Sequence, residues 1–210
     1  MTRPQLVLDI GGVLATNLSP LFWQLIAGEA AVSEDTLYEA YKRQVSEQLW
    51  TGSLSEEQFW SWIKVQAPNI QVQQARSFID RSLQPLPALE KIVEWSLIAD
   101  IHLLSNHLPA WVEPIVNPIN KYLKSITISS ETGLRKPHPD IYRRVASHFA
   151  IDGVVLFVDD QHKNLKQAAS LGWRTLLADE DGRWIPKVLP LLQNRSDKEE
   201  QYTAKGSCNE

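Results

Sequence analysis

Four short segments hold the residue types that can do chemistry: Asp9-Ile10-Gly11-Gly12-Val13-Leu14, Ser105-Asn106, Lys136-Pro137 and Asp159-Asp160. Each follows, directly or after a short loop, an apolar run that reads as a strand. Together they offer a carboxylate nucleophile, a pair of donors for phosphoryl oxygens, a cation, and two adjacent acids suited to a metal. Those are the parts that move a phosphoryl group through an aspartyl-phosphate intermediate. Taken singly each segment is ordinary, since Asp or Ser-Asn after a strand is turn chemistry and a Lys before Pro is usually a surface residue. Their joint occurrence at strand exits is what points to a site.

The elements that must position them follow from hydrophobic patterning. Gln5–Asp9, Asp100–Leu104, Ser125–Ser129, Gly153–Val158 and Arg174–Ala178 read as short buried strands. Unbroken apolar strands alternating with helical patterns indicate a parallel sheet covered on both faces, so the fold class is α/β with a Rossmann-like core. Helices are expected over Asp140–Ala150 behind Pro139, over Asn164–Leu171 before Gly172, and over Trp184–Gln193, the last interrupted by Pro186 and Pro190. In such sheets ligands sit outside the carboxyl ends of the strands, which would gather Asp9, Ser105, Asn106, Asp159 and Asp160, with Lys136 reaching in from a loop.

Residues 16–85 carry helix signals and no strand. Ser33 precedes an apolar stripe of Leu37, Tyr41, Val45 and Leu49, and Ser55-Glu56-Glu57-Gln58 is a capping-box pattern. A helical block after the first strand reads as an α-helical cap inserted over the strand ends, with Gln84-Pro85-Leu86-Pro87 as the return hinge. The expected division is a core of 1–15 and 86–193, a cap of 16–85, and a polar, disordered tail of 194–210.

Bulk properties narrow the partners. A formal charge of -4 argues against nucleic acid or an anionic membrane surface. No apolar run approaches the roughly 20 residues that span a bilayer. Met1-Thr2-Arg3-Pro4 runs straight into a strand and does not read as a signal peptide. Cys208 is the only cysteine, so no intrachain disulfide forms, in keeping with a cytoplasmic location.

The run from Leu6 to Leu14, then Leu103-Leu104-Ser105-Asn106, Gly133-Leu134-Arg135-Lys136-Pro137-His138-Pro139, and Val154 to Asp160 resemble the motifs of the haloacid dehalogenase superfamily. Within it the chain is similar to the alpha-glucose-1-phosphate phosphatase group and to the phosphatase domain of soluble epoxide hydrolase, the cap segment Gly52–Trp60 included. The resemblance implies that Asp9 attacks phosphorus and that Mg2+ is held by Asp9, the Gly11 carbonyl and Asp160, with Asp159 as a further ligand or bound to a metal water. It places Ser105, the Asn106 backbone, Lys136 and the Gly12 N–H on the phosphate, and Asn164 in support of the acidic loop. The implied substrate is a small phosphorylated metabolite, a sugar phosphate favoured.

One part is missing. Most phosphatases of the superfamily carry a second Asp two residues after the nucleophile, a general acid worth about 10²–10⁴-fold; here that residue is Gly11. The glucose-1-phosphate group shares the glycine, and His107 or His138 are candidate surrogates. A catalytically weak binding or regulatory module is the alternative, and a 2-haloacid dehalogenase a lesser one, disfavoured by Asp159-Asp160. Trp23, Trp50, Trp60, Trp62 and Trp111 read first as core. Trp60 and Trp62 cannot face the same way on one helix, which leaves a Trp-rich surface for substrate or for a second copy in a homodimer.

Overall fold

The computed structural model describes residues 3–149 and 153–193; the expected tail at 194–210 lies outside the described residues. Strand β1 (Gln5–Leu8) is followed by five helices: α1 (Leu21–Ala30), α2 (Glu34–Gln44), α3 (Ser46–Trp50), α4 (Glu56–Gln66) and α5 (Val72–Ser82). Then come α6 (Ala88–Ser96), β2 (Asp100–Ser105), α7 (Pro109–Val116), β3 (Leu123–Ile128) and the single turn α8 (Ser129–Thr132). The chain finishes with α9 (Pro139–Ala146), β4 (Val155–Asp159), α10 (His162–Ser170), β5 (Arg174–Leu177) and α11 (Val188–Gln193).

The five strands make one parallel sheet in the order β3-β2-β1-β4-β5. Val7 on β1 joins Leu104, Tyr142 and Phe157 on one face, while Leu6 and Leu8 join Leu103, Leu156 and Val158 on the other. Alternate residues point to opposite faces and both faces are buried, which is why the strands read as continuous apolar runs. α9 and α10 cover one face, and α6 and α11 the other. After β3 the chain crosses to the far side of β1, so the connections diverge above β1 and β4. That divergence opens the crevice at the carboxyl ends. The architecture is thus the expected Rossmann-like α/β sheet with an inserted helical cap.

Local signals act as their chemistry suggests. Ser33 accepts from the Thr36 N–H at the start of α2, and Ser55 and Gln58 form the reciprocal capping box of α4. Pro186 lies in a short 3-10 turn, Ile185–Lys187, so the expected last helix starts only at Val188. The stripe from Leu37 to Leu49 is divided between α2 and α3, because Val45 leaves helical geometry (φ -133°, ψ -15°) while staying buried. α6 and α7 have no counterpart in the sequence reading. Pro85 and Pro87 mask the start of α6 as hinge, and Pro114 lies inside the eight residues of α7.

Cap and core share one aromatic interior. Phe22 of α1 packs on Phe59 and Trp60 of α4 and on Trp111 of α7, with ring centroids 6.1–6.3 Å apart. Trp23, Trp60 and Trp111 are all buried, and Trp62 is half-buried with its indole N–H on Gln44. The tryptophans are therefore mostly inside, in keeping with their first reading as core, and Trp62 is the less buried of the Trp60–Trp62 pair. Gly52, at φ 74°, lies against the Ser130 carbonyl so closely that a Cβ would stand 2.0 Å from it. Arg135 of the core meets Glu47 of α3 at 2.7 Å.

Candidate active site

Register brings the acids together. Leu8 pairs with Leu103 on one side and Val158 on the other, so Asp9 emerges level with the ends of β2 and β4. Its N–H donates to the Val158 carbonyl at 3.0 Å. Asp9 Oδ1 accepts from Ser105 Oγ at 2.8 Å and from the Ile10 N–H at 2.7 Å, and Asp9 Oδ2 meets Lys136 Nζ at 2.7 Å. Lys136, only 1% exposed, also reaches Asp159 Oδ2 at 2.6 Å.

The lysine is held from behind. Asn106 accepts from the Lys136 N–H through Oδ1 at 2.8 Å and donates to the Lys136 carbonyl through Nδ2 at 3.0 Å. That clamp was not foreseen; only the Asn106 backbone was expected to act. Asn164 donates to both Asp159 oxygens, and the Gln161 N–H donates to Asp159 Oδ1. Asp159 is therefore committed to orienting Lys136 and the loop that follows.

The environment is buried and unevenly charged. Burial pushes Asp9 up to about 7, against the pull of the Lys136 cation. Burial alone would lower Lys136, but the Asp159 and Asp9 carboxylates hold it above its ordinary value, so it is a cation at neutral pH. Asp9, Asp159 and Asp160 bring carboxylate oxygens within 4.8 Å of one another. Among the described residues, Asp160 Oδ1 is buried with no hydrogen-bond partner. Clustered hard oxygens, one of them orphaned, with Lys136 paired to Asp9 and Asp159, fit a divalent cation of the magnesium type.

Gly12 corrects one expectation. Its N–H donates to the Ala15 carbonyl at 2.7 Å and is not free for a phosphate oxygen. What the position needs is the absence of a side chain: φ is 70°, and a Cβ would lie 2.5 Å from Asp160 Oδ2.

A cavity of about 450 Å³ opens over Asp9, bounded by Ser105, Asn106, Lys136 and Asp160 below and by Trp23, Tyr38, Tyr41 and Trp50 of the cap above. His107 lines it too, buried between Trp50 and Trp111; burial, with help from Lys136, pushes it down to about 4, so it is neutral at neutral pH. His138 does not line the cavity. It is exposed, and its ring accepts from the Asp140 N–H at the start of α9. Sequence reasoning missed Asn17, which lines the cavity and donates to Asp160 Oδ2 at 2.9 Å.

Comparison with solved structures gives the same architecture. A predicted HAD-like family hydrolase from Porphyromonas gingivalis superposes with a TM-score of 0.76 at 20% identity, covering 93% of this chain and 100% of that one. A HAD family enzyme from Bacteroides thetaiotaomicron, solved in complex with magnesium and inorganic phosphate, gives 0.74 at 21% over 87% and 98% of the two chains. The L-2-haloacid dehalogenase from Xanthobacter autotrophicus gives 0.57 at 19%, over 87% and 80%. No curated protein matches the chain. Residues 6–172 match the haloacid dehalogenase-like hydrolase family, a span that takes in all four segments, and the chain belongs to that family of hydrolases.

Proposed function

We propose that this chain is a magnesium-dependent phosphatase of a small phosphomonoester, working in the cytoplasm, with Asp9 as nucleophile. One observation carries the reading: Asp9 is buried between Ser105 and Lys136 at the base of a cavity, beside an Asp160 oxygen that has no partner among the described residues. The metal complexes of the Bacteroides thetaiotaomicron enzyme support it. The functional division is a core of 1–15 and 86–193 under a cap of 16–85.

Asp9, the Gly11 carbonyl and Asp160 would hold the magnesium ion, with Asp159, which anchors Lys136, as a further ligand or as the acceptor of a hydrogen bond from a metal-bound water. Bound there, the ion would offset the repulsion between carboxylate and phosphate. Asp9 attacks phosphorus, the bond to the leaving oxygen breaks, and that oxygen departs with the electron pair. Ser105 turns from Asp9 to a phosphoryl oxygen, joined by the Asn106 N–H, and Lys136 neutralises charge on the group in transfer. Water then attacks phosphorus, the Asp9–phosphorus bond breaks, and inorganic phosphate leaves.

The cavity narrows the substrate. Among the described residues Asp9 and Asp160 are the only carboxylates lining it, and His107 is neutral. A leaving group that departs without a proton from the protein suits this site. A sugar phosphate esterified at the anomeric carbon meets that demand, and the aromatic wall of the cap suits a sugar ring. The test is hydrolysis of para-nitrophenyl phosphate with magnesium, followed by matched hexose 1- and 6-phosphates. Turnover abolished by EDTA, with the 1-phosphates preferred, supports the reading. No turnover from folded, magnesium-loaded protein would favour a binding module.

A further inference from the structure

The loop that leaves β1 carries Asn17 back over the glycine pair. Its backbone path is fixed at Thr16, whose N–H donates to Gln84 O and whose hydroxyl accepts from the Gln84 N–H, both at 2.8 Å. The same hydroxyl donates to Ser82 O, so Thr16 is tied to the segment that returns from the cap. Asn17 follows, with its side chain in the cavity.

Two contacts define that side chain. Nδ2 donates to Asp160 Oδ2 at 2.9 Å. Oδ1 lies 2.9 Å from the point where a Cβ on Gly11 would stand. The amide orientation follows from chemistry, because only the NH2 group can face a carboxylate without repulsion. The carbonyl is thereby turned toward position 11. An added Cβ there would have to push the end of the Asn17 side chain aside and so take its N–H from Asp160. Gly11 has no need of a left-handed backbone, so the vacancy at 11 is explained by Asn17 and not by a turn.

We propose that Asn17 takes the place a side chain at position 11 would fill, and that it is the residue positioning Asp160 for the divalent cation. Gly11 and Asn17 then act as one unit: the glycine leaves room, and the asparagine uses it. Asp160 Oδ2 is occupied by the amide, which leaves the partnerless Oδ1 as the oxygen presented to the ion. The inference rests on the magnesium site of the reading above.

The test is a thermodynamic cycle on magnesium binding, read by titration calorimetry on the full chain, with Asn17→Ala, Gly11→Ala and the double variant. Removing a partner that orients a metal ligand typically costs 10–100-fold in affinity, so Asn17→Ala is expected to weaken binding by about tenfold or more. Gly11→Ala is expected to weaken it by a similar factor, through displacement of the same amide. The double variant then adds little to either, since each change breaks the same contact. Asn17 is exposed and Ala fits the Gly11 backbone, so all three variants fold, which circular dichroism checks. A parallel readout is the magnesium dependence of para-nitrophenyl phosphate hydrolysis, where the half-saturating concentration rises in Asn17→Ala while kcat at saturating magnesium is largely kept. Unchanged affinity in Asn17→Ala, or additive losses in the double variant, would overturn the proposal. Magnesium binding with this pattern in a protein that turns over no phosphoester would leave the Asn17 inference standing and sink the phosphatase reading instead.

Discussion

The two sides of the cavity are built on different physics. Below, Asp9, Ser105, Lys136 and Asp159 are buried and their polar atoms are tied to one another by bonds of 2.6–2.8 Å. Above, the cap presents aromatic rings and Lys42, which is half exposed and, among the described residues, paired with Glu39 on the same helix. In the lower layer a lost partner leaves a charge stranded out of water. In the upper layer, water replaces what is lost. The lower side is thus sensitive to every atom and suited to a fixed chemistry, while the upper side tolerates change and suits the choice of substrate.

The contrast can be tested from its strongest point downward. Asp9→Asn removes the nucleophile, and hydrolysis of para-nitrophenyl phosphate should fall by about 10⁴-fold or more; residual activity within tenfold of the parent would mean that the lower layer is not catalytic. Lys136→Met strands Asp9 and Asp159 without their cation, and urea unfolding should show a loss of about 3–5 kcal/mol. A variant with unchanged urea unfolding would show that the buried charges are better screened than their partners suggest.

The third prediction concerns protons. Burial raises Asp9 to about 7, and a carboxyl must be ionised to ligate a metal. Magnesium affinity should therefore be steady above pH 7 and weaken by up to about tenfold per unit below it, with proton uptake by Asp9 as the competing reaction. Calorimetry at pH 6, 7 and 8 would show this, and a flat profile would mean that Asp9 stays ionised without the metal. Smallest of all is Glu47→Gln, which cuts the Arg135 ion pair between cap and core at a largely exposed carboxylate. Its effect on stability should be within about 0.5 kcal/mol, and an effect as large as that of Lys136→Met would erase the distinction between the layers.

The same division separates what was legible in the sequence from what was not. The convergence of Asp9, Ser105, Asp159 and Asp160 was readable because strand patterns locate strand exits, and a parallel sheet brings those exits together whatever lies between them; Lys136 reaches them from the loop after α8. Asn17 carried no signal: it is an ordinary polar loop residue, and its place over Gly11 depends on Thr16 being tied to Gln84, far along the chain. The resemblance places the Gly12 N–H on the phosphate, but the tight loop takes that N–H for Ala15. Trp23, Tyr38, Tyr41 and Trp50 were visible as aromatics. Which of them would face the cavity depends on how α1, α2 and α3 pack, including the break at Val45.

The central claim is a covalent one, that the phosphoryl group passes through Asp9. With Gly11 in place of a residue able to deprotonate water, breakdown of the intermediate should be the slower half of the reaction, so the phospho-enzyme should accumulate. The direct measurement is acid quenching of the magnesium-loaded protein during turnover of para-nitrophenyl phosphate, followed by mass spectrometry of the peptide containing Asp9. The account predicts a phosphoryl group on Asp9 in a substantial fraction of the wild-type chain, and none in Asp9→Asn. Sustained turnover with Asp9 unmodified throughout would contradict it.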